Sequence, residues 1–312
     1  MRVVFFGTPD FAVPSVRALV GEGFDVLAAV TRPDSPQGRS RSRAVPPPVK
    51  VTALAEGIPI LQPERPSDPR FIERLRELAP DVGVVVAYGH LLKPDLLLIP
   101  ARGMVNVHPS LLPALRGAAP VEWAILNGLD RTGVSIIQLD EGLDSGPILL
   151  QIPHAIGPEE TGGELATHLA EVGAQALIEA LALWEQGALR PVPQDHSRAS
   201  YAPKLTRETA RIDWSKAPEV VARWIRGLDP KPGAWAELGG KEVKLFGATV
   251  SAAAGAPGEV LMADGRLLIA ARGEGGTGGA VEVEEVQPAG KARMPAADWI
   301  RGRGVRAGQR FR

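Results

Sequence analysis

Asn106, His108 and Asp144 are the residues whose types and spacing can do chemistry together. The first two lie in Gly103-Met-Val-Asn-Val-His108, where Val105 and Val107 alternate with the polar pair. Alternation of period two predicts a strand with Asn106 and His108 on one face at its carboxyl end. Pro109 removes a backbone donor and stops the ladder. Asp144 sits in a glycine-bounded loop, Gly142-Leu-Asp-Ser-Gly146. Ligands of open α/β sheets bind outside the carboxyl ends of strands, so the three side chains can meet there. A carboxamide to hold an oxyanion, an imidazole to shuttle a proton and a carboxylate to orient it suit acyl transfer. By itself, Asn-x-His at a strand end is more often an ordinary polar pair, and Asp144 would pass for a turn aspartate.

The elements that must position this trio alternate. Strands are expected at 2–6, 26–30, 58–61, 82–88, 103–108, 133–139 and near 147–152. Helices are expected from Phe11, over 49–56, from an Asp68 cap to Leu78, over 121–126, and from Gly163 to about Gln186. The alternation implies a doubly wound, mostly parallel, Rossmann-like sheet. Val82-Gly-Val-Val-Val-Ala-Tyr88 is the most apolar run and belongs at its middle. Gly7-Thr-Pro opens a strand–turn–helix unit but lacks the G-x-G-x-x-G spacing, so a dinucleotide reading is weak.

Residues 32–48 have no apolar period, and their prolines and glycine predict neither helix nor strand. A βα connection usually takes about 2–6 residues, so this length points to function. The stretch carries Arg32, Arg39, Arg41 and Arg43 against the single acid Asp34, which suits phosphate contacts; a solvated linker would look similar. Residues 188–206 lack periodicity and read as a linker between a first domain, 1–187, and a second, 207–312. The second holds a helix at 218–226 and five short β segments at 233–238, 241–250, 258–262, 266–271 and 280–287. Five turn-bounded segments predict a small β-barrel.

The 312 residues suffice for two domains with separate cores. With no cysteine there are neither disulfides nor thiolate metal sites. The five histidines lack helix-ligand spacing, so no metal is expected. No apolar run reaches transmembrane length and none resembles a signal peptide, which predicts a cytoplasmic protein. Lys and Arg number 18 against 23 Asp and Glu over 1–204, but 17 against 13 over 205–312. That asymmetry fits a polyanion partner and equally a solvated basic face.

Longer strings decide more. Asn106-x-His108, Ser110-Leu-Leu-Pro113, Arg116-Gly-Ala-Ala-Pro120 and Gly142-Leu-Asp-Ser-Gly146 resemble the signature of the folate-dependent formyltransferase family. Val4-Phe-Phe-Gly-Thr-Pro-Asp-Phe11 and Ala210-Arg-Ile-Asp-Trp214 look like its branch that acts on methionyl-tRNA, and the resemblance covers nearly the whole chain. It implies transfer of the formyl group of 10-formyltetrahydrofolate to the α-amino group of charged initiator tRNA, for translation initiation. By the same resemblance Asn106, His108 and Asp144 are catalytic, and Ser110, Leu111, Leu112 and Pro113 line the folate site. Backbone groups of Val86, Tyr88, Gly89 and Leu92 would reach the pterin, Arg39, Arg41 and Arg43 would meet tRNA, and the C-terminal domain would be an OB-like barrel helping to hold tRNA. The expected enzyme is a monomer.

Two other readings stay open at this point. An enzyme formylating a small amine, such as an amino sugar nucleotide or glycinamide ribonucleotide, would keep the first domain. The arginine loop and basic second domain argue against the glycinamide enzyme, and less strongly against the sugar enzyme, which can also carry a second domain. A non-catalytic RNA-binding protein on the same scaffold would have no use for Asn106, His108 and Asp144.

Overall fold

The computed structural model describes every residue except 38–42, 264 and 274–277. The chain forms two compact units. One comprises Met1–Gly117, Thr132–His154 and Ala166–Tyr201, the other Ala118–Arg131, Ala155–Leu165 and Ala202–Arg312.

In chain order the first elements are β1 (Arg2–Gly7), α1 (Val13–Gly21), β2 (Asp25–Val30), β3 (Ser35–Gln37), β4 (Arg43–Val45), α2 (Pro48–Ala55) and β5 (Ile60–Leu61). Then come α3 (Pro69–Leu78), β6 (Val82–Val86), α4 (Pro94–Leu97), β7 (Met104–His108), β8 (Arg116–Gly117) and α5 (Pro120–Leu126). They are followed by β9 (Arg131–Gln138), β10 (Ile148–Ala155), α6 (Gly162–Glu185) and β11 (Tyr201–Ala202).

The first unit is built on a seven-stranded sheet in the order β10-β9-β7-β6-β1-β2-β5. Five of these strands run parallel through the pairs β7–β6, β6–β1, β1–β2 and β2–β5, and β9 lies antiparallel to β7. β6 takes the central place that its apolar run predicts, with all five residues buried. Gly7 ends β1 where the chain turns toward α1. A Cβ there would stand 2.6 Å from the Phe5 ring and 2.9 Å from the Ala12 Cβ, so the turn has room only for glycine. Asp68 caps α3 by accepting the Arg70 N–H at 2.9 Å, and the helix buries Phe71 and Leu75 against Val4, Phe6 and Val85.

The arginine-rich stretch corrects one expectation. β3 and β4 pair antiparallel, Ser35 with Val45, Pro36 with Ala44 and Gln37 with Arg43, and α2 begins inside the stretch at Pro48. A two-stranded ribbon is held by backbone pairing and needs no apolar face, so hydrophobic periodicity carries no signal for it. Its base is pinned: Lys50 Nζ stands 2.7 Å from Asp34 Oδ1, and Gln62 Nε2 donates to Asp34 Oδ1 and the Arg32 carbonyl, both at 2.8 Å.

The second unit continues with α7 (Pro218–Gly227), β12 (Ala234–Leu238), β13 (Lys241–Ser251), β14 (Val260–Ala263), β15 (Arg266–Ala271), β16 (Gly279–Pro288), β17 (Met294–Pro295) and α8 (Ala296–Arg301). Its sheet is antiparallel, in the order β12-β13-β16-β15-β14, with β17 added on β16. Each of the five expected β segments overlaps a strand; β17 and α8 lie outside the expected elements. Among the described residues the named strands form an open order and not a closed ring. Residues 309–312 run between its ends: Arg312 and Glu237 exchange backbone hydrogen bonds at 2.9 Å, Phe311 N–H donates to the Gly258 carbonyl at 2.8 Å, and Val260 N–H donates to the Gln309 carbonyl at 2.8 Å. α7 buries Val221, Ala222 and Ile225 in a core that also takes Leu126 from α5. Trp123 of α5 meets Trp224 edge-on at 6.2 Å and donates to the Pro203 carbonyl at 2.8 Å.

No helix among the described residues is long and apolar enough to cross a membrane.

Candidate active site

β7 brings Asn106 and His108 to the carboxyl edge of the sheet. In register, Asn106 stands between Val85 of β6 and Ile137 of β9, and His108 stands opposite Ser135. Strand alternation puts both side chains on one face. His108 is 3% exposed, whereas Asn106 is half-buried and its carboxamide makes no hydrogen bond to another described residue.

The His108 ring is fixed from both sides. Nε2 stands 3.0 Å from the Leu115 carbonyl, and a carbonyl only accepts, so Nε2 carries a proton in this arrangement. Nδ1 faces Asp144, with Oδ2 at 3.7 Å. Burial pushes the imidazole pKa below its ordinary value; the Asp144 charge and the Leu115 carbonyl oppose that, and the Arg116 charge adds to it. The neutral ring therefore keeps Nδ1 open to receive a proton, and Asp144 is placed to stabilise the imidazolium that results.

Asp144 lies on the opposite wall. Its backbone takes the left-handed conformation, φ 49°, which aspartate tolerates better than most residues. Oδ2 accepts the Gly117 N–H at 2.9 Å, and the Asp144 main-chain carbonyl accepts from Gln194 Nε2 at 2.8 Å. The same amide nitrogen donates to the Gly146 carbonyl at 2.7 Å. Gln194 Oε1 in turn accepts from Arg116 Nε at 3.2 Å and Nη2 at 2.6 Å. Arg116 is 4% exposed and forms no ion pair among the described residues. Its Nη2 also meets His196 Nδ1 at 3.1 Å; a guanidinium only donates, so His196 carries its proton on Nε2.

The loop after β7 is held from beneath. Ser110 is fully buried; its hydroxyl donates to the Ala114 carbonyl at 2.6 Å, and its own carbonyl accepts from Ser135 Oγ at 2.6 Å. Leu112 N–H donates to Ser135 Oγ at 3.0 Å, and Gln151 Nε2 donates to the Leu112 carbonyl at 2.9 Å. Leu112 is buried, and Leu111 and Pro113 are half-buried. On the β6 side, Val86, Tyr88 and Leu92 are buried, and Gly89 is exposed with φ 86°. The Tyr88 ring packs against Phe6 and His90, and burial pushes its hydroxyl pKa up to about 12. The side chains of Ser110, Leu112, Val86, Tyr88 and Leu92 are thus buried, and the Ser110 and Leu112 backbone groups are spent on holding the loop in place.

The structure brings His108 and Asp144 together in one unit. Arg39 and Arg41 lie outside the described residues, as does the Arg43 side chain; the Arg43 backbone belongs to β4. Sequence reasoning missed Gln194, which lies in the stretch assigned to a linker, and gave Arg116 no role although it stands in a quoted motif. Ser135 and Gln151 were also missed. Gln194 has no local signal: it is 50 residues from Asp144, in a segment without periodicity.

Residues 1–181 match the family model "Formyl transferase", and residues 204–304 match "Formyl transferase, C-terminal domain". Methionyl-tRNA formyltransferase of Thermobifida fusca is 45% identical over 313 residues, covering 100% of this chain and 99% of its own. That of Geotalea uraniireducens is 43% identical over 302 residues, covering 97% and 95%. Among solved structures, HypX from Aquifex aeolicus in complex with tetrahydrofolic acid superposes with a TM-score of 0.67 at 21% identity. It covers 96% of this chain, which spans 47% of HypX, and at that identity the likeness speaks for the fold alone. With identity above two-fifths sustained from end to end by such relatives, the chain belongs to the methionyl-tRNA formyltransferase family.

Proposed function

We infer that the chain performs the reaction its family is named for, moving the formyl group of 10-formyltetrahydrofolate onto the α-amino group of methionyl-tRNA for translation initiation. The observation that carries the chemistry is the His108–Asp144 approach at 3.7 Å, beside an Asn106 carboxamide that has no hydrogen-bond partner among the described residues.

The steps follow from what each group offers. The α-amine attacks the formyl carbon and an oxyanion develops. Asn106 donates to that oxygen from a fixed strand; loss of one such donor typically costs on the order of 10²–10³ in rate. The amine must shed a proton and N10 of the folate must gain one. Neutral His108 receives the first at Nδ1 and returns it to the leaving nitrogen, with Asp144 stabilising the charged ring in between. The fully protonated ring would have no such vacancy.

The donor would lie across the carboxyl edge of β6 and β7. Backbone groups of Val86, Tyr88, Gly89 and Leu92 would face the pterin, and the Ser110-Leu111-Leu112-Pro113 loop would form the other wall. Residues 1–187 would form the catalytic domain, 188–206 the connection, and 207–312 a tRNA-holding domain. For the last we favour a small OB-like barrel: the two-sided bonding of residues 309–312 to β12 and to 258–260 supports closure of the antiparallel sheet. Arg39, Arg41 and Arg43 would meet the acceptor end of the tRNA. One unit supplies all three catalytic side chains, which suits a monomer acting in the cytoplasm, where charged tRNA is used.

The direct test is transfer of labelled formyl from 10-formyltetrahydrofolate to methionyl initiator tRNA by the purified chain. Label reaching a free amino sugar nucleotide while the charged tRNA stays unlabelled would overturn this reading.

A further inference from the structure

We propose that Gln194 is a positioning residue for formyl transfer, acting as a clamp that holds the Gly142–Gly146 loop so that Asp144 faces His108. The inference rests on the catalytic reading of Asp144 and His108 given above.

The geometry is specific. One amide nitrogen of a 6% exposed side chain donates to two carbonyls of the same loop, Asp144 at 2.8 Å and Gly146 at 2.7 Å. The amide oxygen is occupied by Arg116 at 2.6 and 3.2 Å. A primary amide has two N–H donors and an oxygen with two lone pairs, so Gln194 is filled from both ends. No other residue type of similar size both donates to two carbonyls and accepts from a guanidinium. Asp144 needs such support because its backbone is in the left-handed region and its loop carries two flanking glycines.

The loop has other ties. Asp140 accepts from Gly142 N–H at 3.0 Å and from Ser145 Oγ at 2.9 Å, which shapes the loop internally without fixing it to the β7 side. Gln194 and the Gly117 N–H make that cross-connection. The Gly117 bond holds the carboxylate, whereas the Gln194 bonds hold the backbone from which the carboxylate projects. Arg116 and Gly117 are consecutive, so Gln194 ties both walls of the site through a single side chain.

The prediction is a loss in turnover that passes through Asp144. Gln194→Ala is expected to lower kcat by about 10–10²-fold, the scale for a displaced reacting group, with KM for each substrate within about threefold of the parent. Gln194→Glu fills the same volume and still accepts from Arg116, but presents oxygen to two carbonyl oxygens. It should be at least as slow as the Ala variant, which separates loss of the clamp from the opening of a cavity. In the Asp144→Ala background, adding Gln194→Ala should cost nothing further, because the group it positions is gone.

Additive losses in that cycle would show that Gln194 acts independently of Asp144 and would overturn the proposal. Parent-like kcat in Gln194→Ala, or in Gln194→Glu, would do the same. Failure of the underlying catalytic reading looks different: Asp144→Ala alone would then turn over at the parent rate. tRNA affinity, measured on each variant, checks that the fold persists.

Discussion

Asp144 Oδ2 stands 3.7 Å from His108 Nδ1 while it accepts the Gly117 N–H at 2.9 Å. The carboxylate is thus committed to a backbone donor in the resting site and faces the imidazole at a distance just beyond a hydrogen bond. Protonation of Nδ1 supplies a donor toward that carboxylate, so charge on the ring is what draws the two together.

Removing any of the three groups should therefore injure turnover more than binding. Asn106→Ala, His108→Ala and Asp144→Ala are each expected to lower kcat by roughly 10²-fold or more, with tRNA affinity little changed. Single-turnover transfer beside a tRNA binding isotherm reads both; parent-like turnover in Asn106→Ala would take the carboxamide out of the mechanism.

The electrostatics of His108 set the acid behaviour. Burial depresses its pKa from the usual value of about 6.5, so the neutral, proton-accepting ring persists to more acidic pH than in a free peptide. The Asp144 charge raises this pKa and the Arg116 charge lowers it. NMR titration of the ring should accordingly place the Asp144→Asn value below the parent and the Arg116→Gln value above it. Movement of both in the same direction would contradict the assignment.

The same shift has a sign in stability. The unfolded chain binds the His108 proton more readily than the folded one, so this contribution is intact above about pH 6.5 and is lost as pH falls toward the folded value. Denaturant midpoints of parent and His108→Gln should converge as the pH is lowered through that window; a constant gap would mean that His108 does not titrate between the states.

In the second unit, Arg293 Nη1 stands 2.7 Å from Asp229 Oδ1, its guanidinium lies 4.1 Å from the Phe246 ring centre, and Asp229 is 5% exposed. Arg293→Met leaves that carboxylate buried without its cation. A fully buried pair would cost about 3–5 kcal/mol to break; because Arg293 is about one-third exposed, about 2–3 kcal/mol is expected in urea unfolding. A loss under half a kcal/mol would relegate the pair to the screened surface.

Arg39, Arg41 and Arg43 are testable through salt. Replacing all three with Ala should weaken tRNA binding and flatten its dependence on salt, by roughly 0.7–0.9 in slope for each phosphate deprived of its guanidinium. Folate affinity should hold. Unchanged affinity and slope would leave the arginines as solubilising charge.

The parts of the fold that announce themselves in the sequence are those with a repeating physical demand. β6 must be apolar on both faces, and α3 must present Phe71 and Leu75 to the core behind an Asp68 cap, so both read correctly from local pattern. β3 and β4 have no such demand. In the site, Asn106 and His108 are legible because two residues on one strand share a face. Asp144 needed the longer motif strings, and Gln194 needed the fold: a side chain that bonds only to backbone carbonyls and a distant arginine leaves no period to detect.

The second unit draws 118–131 and 155–165 from within the span of the first, and its core takes Leu126 and packs Trp123 against Trp224. A protease nick between 202 and 210 would therefore not release two free pieces; the fragments would stay associated until denatured. A chimera that borrows residues 207–312 from a relative inherits only part of a core. To match the parent's unfolding transition it must also carry that relative's residues at 118–131 and 155–165.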